Sequence, residues 1–212
     1  MKKHSEAEIQ NLLNQIKEEK NPSLQIFSLG SLIRSLFLEK GYDIIIYGGG
    51  AVEYYTSGGY STRDLDFGFI NQMPSLEIRE EIFTKLGSPV RGRVRFVAGL
   101  CVDMGSVAEI LSPPAVAFET PLGILLIERA EECLIGRIVQ GTYPQKNEDQ
   151  WNASKMILAN AIQGTIPFEW NEFRRLCTIP GFKIWPEVLQ LVQELKNQAL
   201  FPPLHWSFDP PY

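Results

Sequence analysis

The chain has 212 residues, 44% hydrophobic and 21% charged, an ordinary globular composition that excludes disorder over most of its length. Asp plus Glu outnumber Lys plus Arg by 25 to 20, a net charge of −5 that argues against a sequence-independent grip on duplex nucleic acid; no sequence-specific DNA binding is expected either. Three scattered cysteines (Cys101, Cys133, Cys177) suit neither a disulfide scaffold nor a zinc site and read as reduced core thiols, and with no apolar leader segment and no membrane-length apolar run the protein is expected to be soluble and cytoplasmic.

Ser5 should cap a first helix, with Ile9, Leu12, Leu13 and Ile16 at helical spacing and Asn21-Pro22 ending it. A second helix is expected over 24–40, capped by Ser23 and stopped at Gly41. The β-branched run 43–47 reads as a buried strand, broken by Gly48-Gly49-Gly50 before a short helix over 51–57. After a turn at Gly58-Gly59, residues 64–70 alternate polar and apolar as a half-buried strand does. Ser75 should cap a helix running to Lys85, with strands following near 94–98, 100–105 and 123–127.

From Glu128 onward the pattern is helical, with segments near 130–139, 149–162, 167–177 and 186–200 and a proline-rich tail read as a surface strap. The expected fold class is α+β: a small mixed sheet with flanking helices over 1–127, then a helical C-terminal portion over 128–212.

The chemistry is concentrated between Tyr47 and Asp66. A glycine run between a buried strand and a helix lets backbone N–H groups approach a phosphate with no Cβ in the way. Asp64 and Asp66, two apart on a strand, point to one face, and paired carboxylates call for a positive charge between them. An all-oxygen donor set favours Mg²⁺ or Mn²⁺. A phosphate cradle beside paired acids is the equipment of metal-assisted phosphoryl or nucleotidyl transfer.

These residues, Gly48-Gly49 followed by a helix and Asp64-Leu65-Asp66, resemble the signature of the polymerase-β-like nucleotidyltransferase superfamily. The wording GGGAVEYYTSGGYSTRDLDF looks most like its small prokaryotic branch, which includes abortive-infection toxin-type members. The resemblance implies NMP transfer from an NTP to a hydroxyl on a protein, RNA or small molecule, with an antitoxin as a possible partner. It implies metal ligation by Asp64, Asp66 and a third carboxylate, Asp103, which would also take the acceptor proton. Gly48, Gly49, Arg63 and Arg137 would contact the nucleotide, and Asp149 would be structural, pairing with Arg137. A catalytically inactive relative that binds a nucleotide or protein partner is the alternative.

Other residues leave two readings open. Arg91, Arg93 and Arg95 would share one face of a strand, to guide a polyanion such as RNA or to protect a sheet edge. Tyr47, Tyr54, Tyr55 and Tyr60 could stack on a base or pack in the core. His4 and His205, the only histidines, lie in terminal segments, which disfavours histidine-based catalysis.

Overall fold

The computed structural model describes residues 4–89 and 92–197. The tail from 198, with His205, and Arg91 lie outside the described residues. The chain divides after Glu128 into two compact units, Met1–Glu128 and Arg129–Tyr212.

The first unit opens with helix α1 (Glu6–Glu18), whose cap Ser5 accepts from Glu8 N while the Glu8 carboxylate accepts from Ser5 N. This reciprocal cap satisfies two amides that the first turn leaves unpaired. Helix α2 (Pro22–Leu38) is capped by Asn21 rather than Ser23, and Pro22 occupies its first turn, where a missing N–H costs nothing. Asn21-Pro22 therefore starts α2; α1 has already ended at Glu18.

Strands β1 (Asp43–Ile46), β2 (Asp64–Ile70), β3 (Val94–Val97), β4 (Leu100–Val107), β5 (Val116–Thr120) and β6 (Gly123–Ile127) form one mixed sheet ordered β3-β4-β2-β1-β6-β5. Strand β2 runs antiparallel to β1 and parallel to β4, and β1 runs parallel to β6. The outer pairs β3–β4 and β5–β6 are antiparallel hairpins. Strand β5 was not expected; its sequence VAFET lies only half-buried at a sheet edge, so its apolar signal is short and diluted.

Leu65, Phe67 and Phe69 leave β2 on one face and are fully buried there. Phe37 of α2 meets the Phe67 and Phe69 rings at 6.0 and 5.0 Å between centroids, and reaches Phe83 of helix α4 (Leu76–Lys85) at 6.5 Å. Arg34 ties α2 to the sheet, clasping Asp43 at 2.7 and 2.9 Å and donating to the Ile124 carbonyl at 2.8 Å. This dry face fixes the register of β2 and leaves its even-numbered residues on the other side.

The second unit consists, among its described residues, of α5 (Ala130–Thr142), α6 (Glu148–Ile162), α7 (Trp170–Cys177) and α8 (Trp185–Asn197). Its core gathers Leu134, Ile138, Ile157, Phe173, Leu176 and Leu191, all buried. A Cβ on Gly141 would stand 3.0 Å from the Trp151 amide nitrogen, so α5 and α6 approach closely there. No helix among the described residues is long and apolar enough to cross a membrane.

Candidate functional site

The glycines follow the end of β1 at Ile46, as expected, but α3 (Gly48–Tyr55) begins within them rather than at Ala51. Gly48 sits at φ +68°, a left-handed conformation that an L side chain adopts at a cost, and a Cβ there would collide with the Asp66 carboxylate. A Cβ on Gly49 would stand 2.7 Å from Thr62 Oγ1. The glycines thus permit α3 to begin directly against β2 and the loop that feeds it. Glu53, buried in α3, holds that loop by accepting from Thr62 N at 3.0 Å, and it also accepts from Ser23 Oγ.

Asp66 and Asp103 are direct partners in the parallel β2–β4 register, and Asp64 is the partner of Cys101. Asp64, Asp66, Cys101 and Asp103 consequently share the face opposite Phe67. Beyond them the register slips, with Met104 opposite Phe67 but Val107 opposite Phe69, so β4 carries an extra residue beside Gly68. Such an irregularity is common next to functional sites. Tyr47 occupies the space: Cβ atoms on Gly68 and Gly105 would both strike its ring or hydroxyl. Burial first, then the Asp66 and Asp103 carboxylates, push the Tyr47 hydroxyl above its ordinary pKa.

In this ligand-free arrangement the polar groups of the site satisfy one another. Gly48 N donates to Glu128 Oε1 at 3.0 Å, and Gly49 N donates to Asp66 Oδ2 at 3.3 Å. Glu128 is itself pinned, its amide donating to Ile46 O at 2.9 Å and its carbonyl accepting from Tyr55 Oη at 2.6 Å. Asp103 is clasped by Arg93 through two bonds, Nε to Oδ1 at 2.5 Å and Nη2 to Oδ2 at 2.9 Å. The helix-start amides therefore face carboxylates where the sequence suggested phosphates, which is consistent with an anion-binding helix terminus.

The donors suit a hard divalent cation in chemistry and in strand register, being carboxylates on one sheet face. Among the described residues no three His, Cys, Asp or Glu side chains converge tightly enough to hold an ion as they stand. Both Asp103 oxygens accept from Arg93, so this carboxylate is already engaged by a cation.

Arg63 is exposed in the bend just before Asp64 and makes no hydrogen bond or ion pair among the described residues. Arg137 lies in the second unit, buried in α5; its Nη1 donates to Gln150 Oε1 at 2.5 Å and its buried Nε has no partner among the described residues. Gln150 takes the place expected for Asp149, which is exposed in the first turn of α6. The arginines of the β3 region part company. Arg95 is buried beneath α4 with Glu80, 2.5 Å away, and over the Phe83 ring, while Arg93 turns to Asp103. A polyanion guide is thus excluded for Arg95.

Tyr55 is buried with its hydroxyl on Glu128, and Tyr54 packs against Phe27 and Phe118, so both serve the core. His4 bonds Glu39 at 2.7 Å, away from the acids on the sheet. Of the three free thiols Cys133 and Cys177 are buried as expected, but Cys101 is half-buried on the acidic face; burial and then Asp64 raise its pKa. Sequence reasoning missed the roles of Glu128 and Arg93. No local motif marks Glu128, whose task follows from β6 ending parallel to β1, and none marks the Arg93–Asp103 pair, because the hairpin register sets Val94 opposite Asp103 and Arg93 reaches it from the residue before β3.

No protein-family model matches the chain, and no curated protein sequence does. Among solved structures it is similar to an antigenic nucleotidyltransferase-like protein from Paracoccidioides brasiliensis, at 12% identity and a TM-score of 0.53 over 82% of this chain and 90% of that one. Two structures of the antibiotic-resistance factor ANT(2'')-Ia, one in solution and one in complex with adenylyl-2''-tobramycin, overlay at TM-scores of 0.49 and 0.44 with 11% and 14% identity. They cover 84% and 65% of this chain and 100% and 89% of their own. The first likeness establishes the fold: an α+β architecture of the nucleotidyltransferase-like kind.

Proposed function

We propose that the chain is a metal-dependent nucleotidyltransferase that moves NMP from an NTP to a hydroxyl acceptor. The observation that carries this reading is the placement of Asp66 and Asp103 in register on one sheet face, beside the Gly48 and Gly49 amides at the start of α3. A sheet-edge acid pointing away from Asp66 would have favoured the inactive alternative; Asp103 shares its face instead.

Gly48 and Gly49 would bind phosphate oxygens through their backbone N–H groups, with Glu128 and Asp66 vacating them. Asp64 and Asp66, joined by Asp103, would hold Mg²⁺ or Mn²⁺, whose charge polarises the phosphoryl group when bound. Asp103 would accept the proton of the acceptor hydroxyl as its oxygen bonds to the α-phosphorus and pyrophosphate leaves. Arg63, exposed and unpartnered among the described residues, is available to the phosphates; a nucleotide contact by Arg137 rests on the sequence resemblance. The acceptor belongs to a protein, an RNA or a small molecule, and the toxin form of the activity, with its antitoxin, rests on the wording of residues 48–67.

The test is calorimetric titration with ATP, GTP, CTP and UTP in Mg²⁺ and in EDTA, repeated on Asp64→Ala and Asp66→Ala. Metal-dependent binding of at least one nucleotide, abolished by both substitutions, is expected. Silence from all four with folded protein would overturn the reading.

A further inference from the structure

Arg93 is a cation that touches the acidic face of the first unit, and its position is unusual in two respects. Its guanidinium grips Asp103 with two bonds, yet its side chain stays 67% exposed. Asp103 is the register partner of Asp66, which accepts from Gly49 N at 3.3 Å, so two neighbouring carboxylates link Arg93 to the start of α3. An exposed ion pair is screened by water and held weakly, and a divalent cation competes for the same carboxylate oxygens with twice the charge.

We infer that Arg93 is a phosphate-binding residue held in reserve by Asp103: when a divalent cation takes Asp103, the guanidinium is released to the phosphates of the incoming nucleotide. The inference rests on the nucleotidyltransferase reading and adds to it a residue that the glycine and aspartate signature does not contain. The chemistry favours arginine for this exchange, because its planar fork pairs carboxylate and phosphate oxygens with the same two-bond geometry. The exchange also restores balance of charge. Without metal, Arg93 offsets one carboxylate; with metal, that carboxylate is offset already and the nucleotide brings new negative charge to the same face. The same logic extends to the α3 amides, which exchange Glu128 and Asp66 for phosphate oxygens.

The experiment uses two probes, Mn²⁺ alone and the nucleotide that wild type binds best, on wild type, Arg93→Ala, Arg93→Lys, Asp103→Asn and the double variant Asp103→Asn/Arg93→Ala. Removing the competitor should tighten Mn²⁺ binding by Arg93→Ala about threefold to tenfold, while its affinity for the metal–nucleotide complex falls about tenfold, with Arg93→Lys between. Asp103→Asn frees the arginine, so nucleotide binding in EDTA should strengthen in that variant and return to the wild-type level in the double variant. Unchanged nucleotide affinity in Arg93→Ala, or a parallel loss of metal and nucleotide binding, would reduce Arg93 to a structural edge pair and overturn the inference alone. Wild type that binds neither probe would overturn the underlying reading with it. Because Arg93 is exposed, its single variants should melt as wild type does, and a melting curve for every variant separates unfolding from lost binding.

Discussion

Asp66 and Asp103 stand opposite each other on two parallel strands, with their side chains on the same side of the sheet and Asp64 two residues away on that side. Like charges at such spacing oppose folding while they serve ligation. Asp64→Asn should therefore raise the melting temperature of ligand-free protein by about 1–2 °C while weakening Mn²⁺ binding. Scanning calorimetry with and without Mn²⁺ reads both effects; a variant less stable than wild type without metal would contradict the account.

Gly48 tests the close approach of α3 to β2. Its positive φ and the space taken by Asp66 leave no place for a methyl group. Gly48→Ala should cost about 1–3 kcal/mol in denaturant unfolding and displace the Asp66 carboxylate. Gly164→Ala, also at positive φ but with open space around it, should cost less and leave nucleotide binding intact.

Arg95 tests the buried pair under α4. Its side chain is 1% exposed and bonds Glu80, the Gly92 carbonyl and the Ser88 carbonyl. Arg95→Ala strands Glu80 and those carbonyls and should destabilise the protein by about 3–5 kcal/mol. Chemical denaturation measures it, and nucleotide binding under native conditions should persist, because Arg95 faces away from the acids.

A pH effect is expected in the helical unit. Burial works to raise the pKa of Glu194, but hydrogen bonds from Lys155, Trp151 and Gln190 outweigh it and bring it from an ordinary 4.5 to about 2. The unfolded chain thus binds the proton more readily than the folded one. The pair's contribution is complete above about pH 4.5 and is lost as pH falls toward 2. Unfolding free energies at pH 6, 4 and 3 should decline less steeply in Glu194→Gln than in wild type, with the variant already weaker at pH 6.

Most elements were legible because their signals are local. The strand 64–70 and the helix capped by Ser75 follow from alternation and an N-cap hydroxyl, and both occur as β2 and α4. The glycine run misled, because glycine's poor helix propensity hides that Gly48–Gly50 can form a first turn when close packing demands it. Residues that meet across the sheet were not legible. The pairing of Asp103 with Arg93 depends on a hairpin register, and that of Glu128 with Gly48 on strand order, neither of which a single sequence encodes locally. Arg93 and Arg95, read as equivalent by their spacing, diverge because only one of them lies under α4.

The central position of β2 has a consequence for timing. Its backbone is hydrogen-bonded on both sides, by β1 and by β4, so the amides around Asp66 open only with the sheet and should exchange their hydrogens among the slowest in the unit. Arg93 precedes an edge strand of four residues, where local opening needs few bonds to break. A ligand arriving at this face meets carboxylates anchored in the most persistent part of the sheet and an arginine on its quickest margin. The acids act as the anvil, and adjustment falls to the rim.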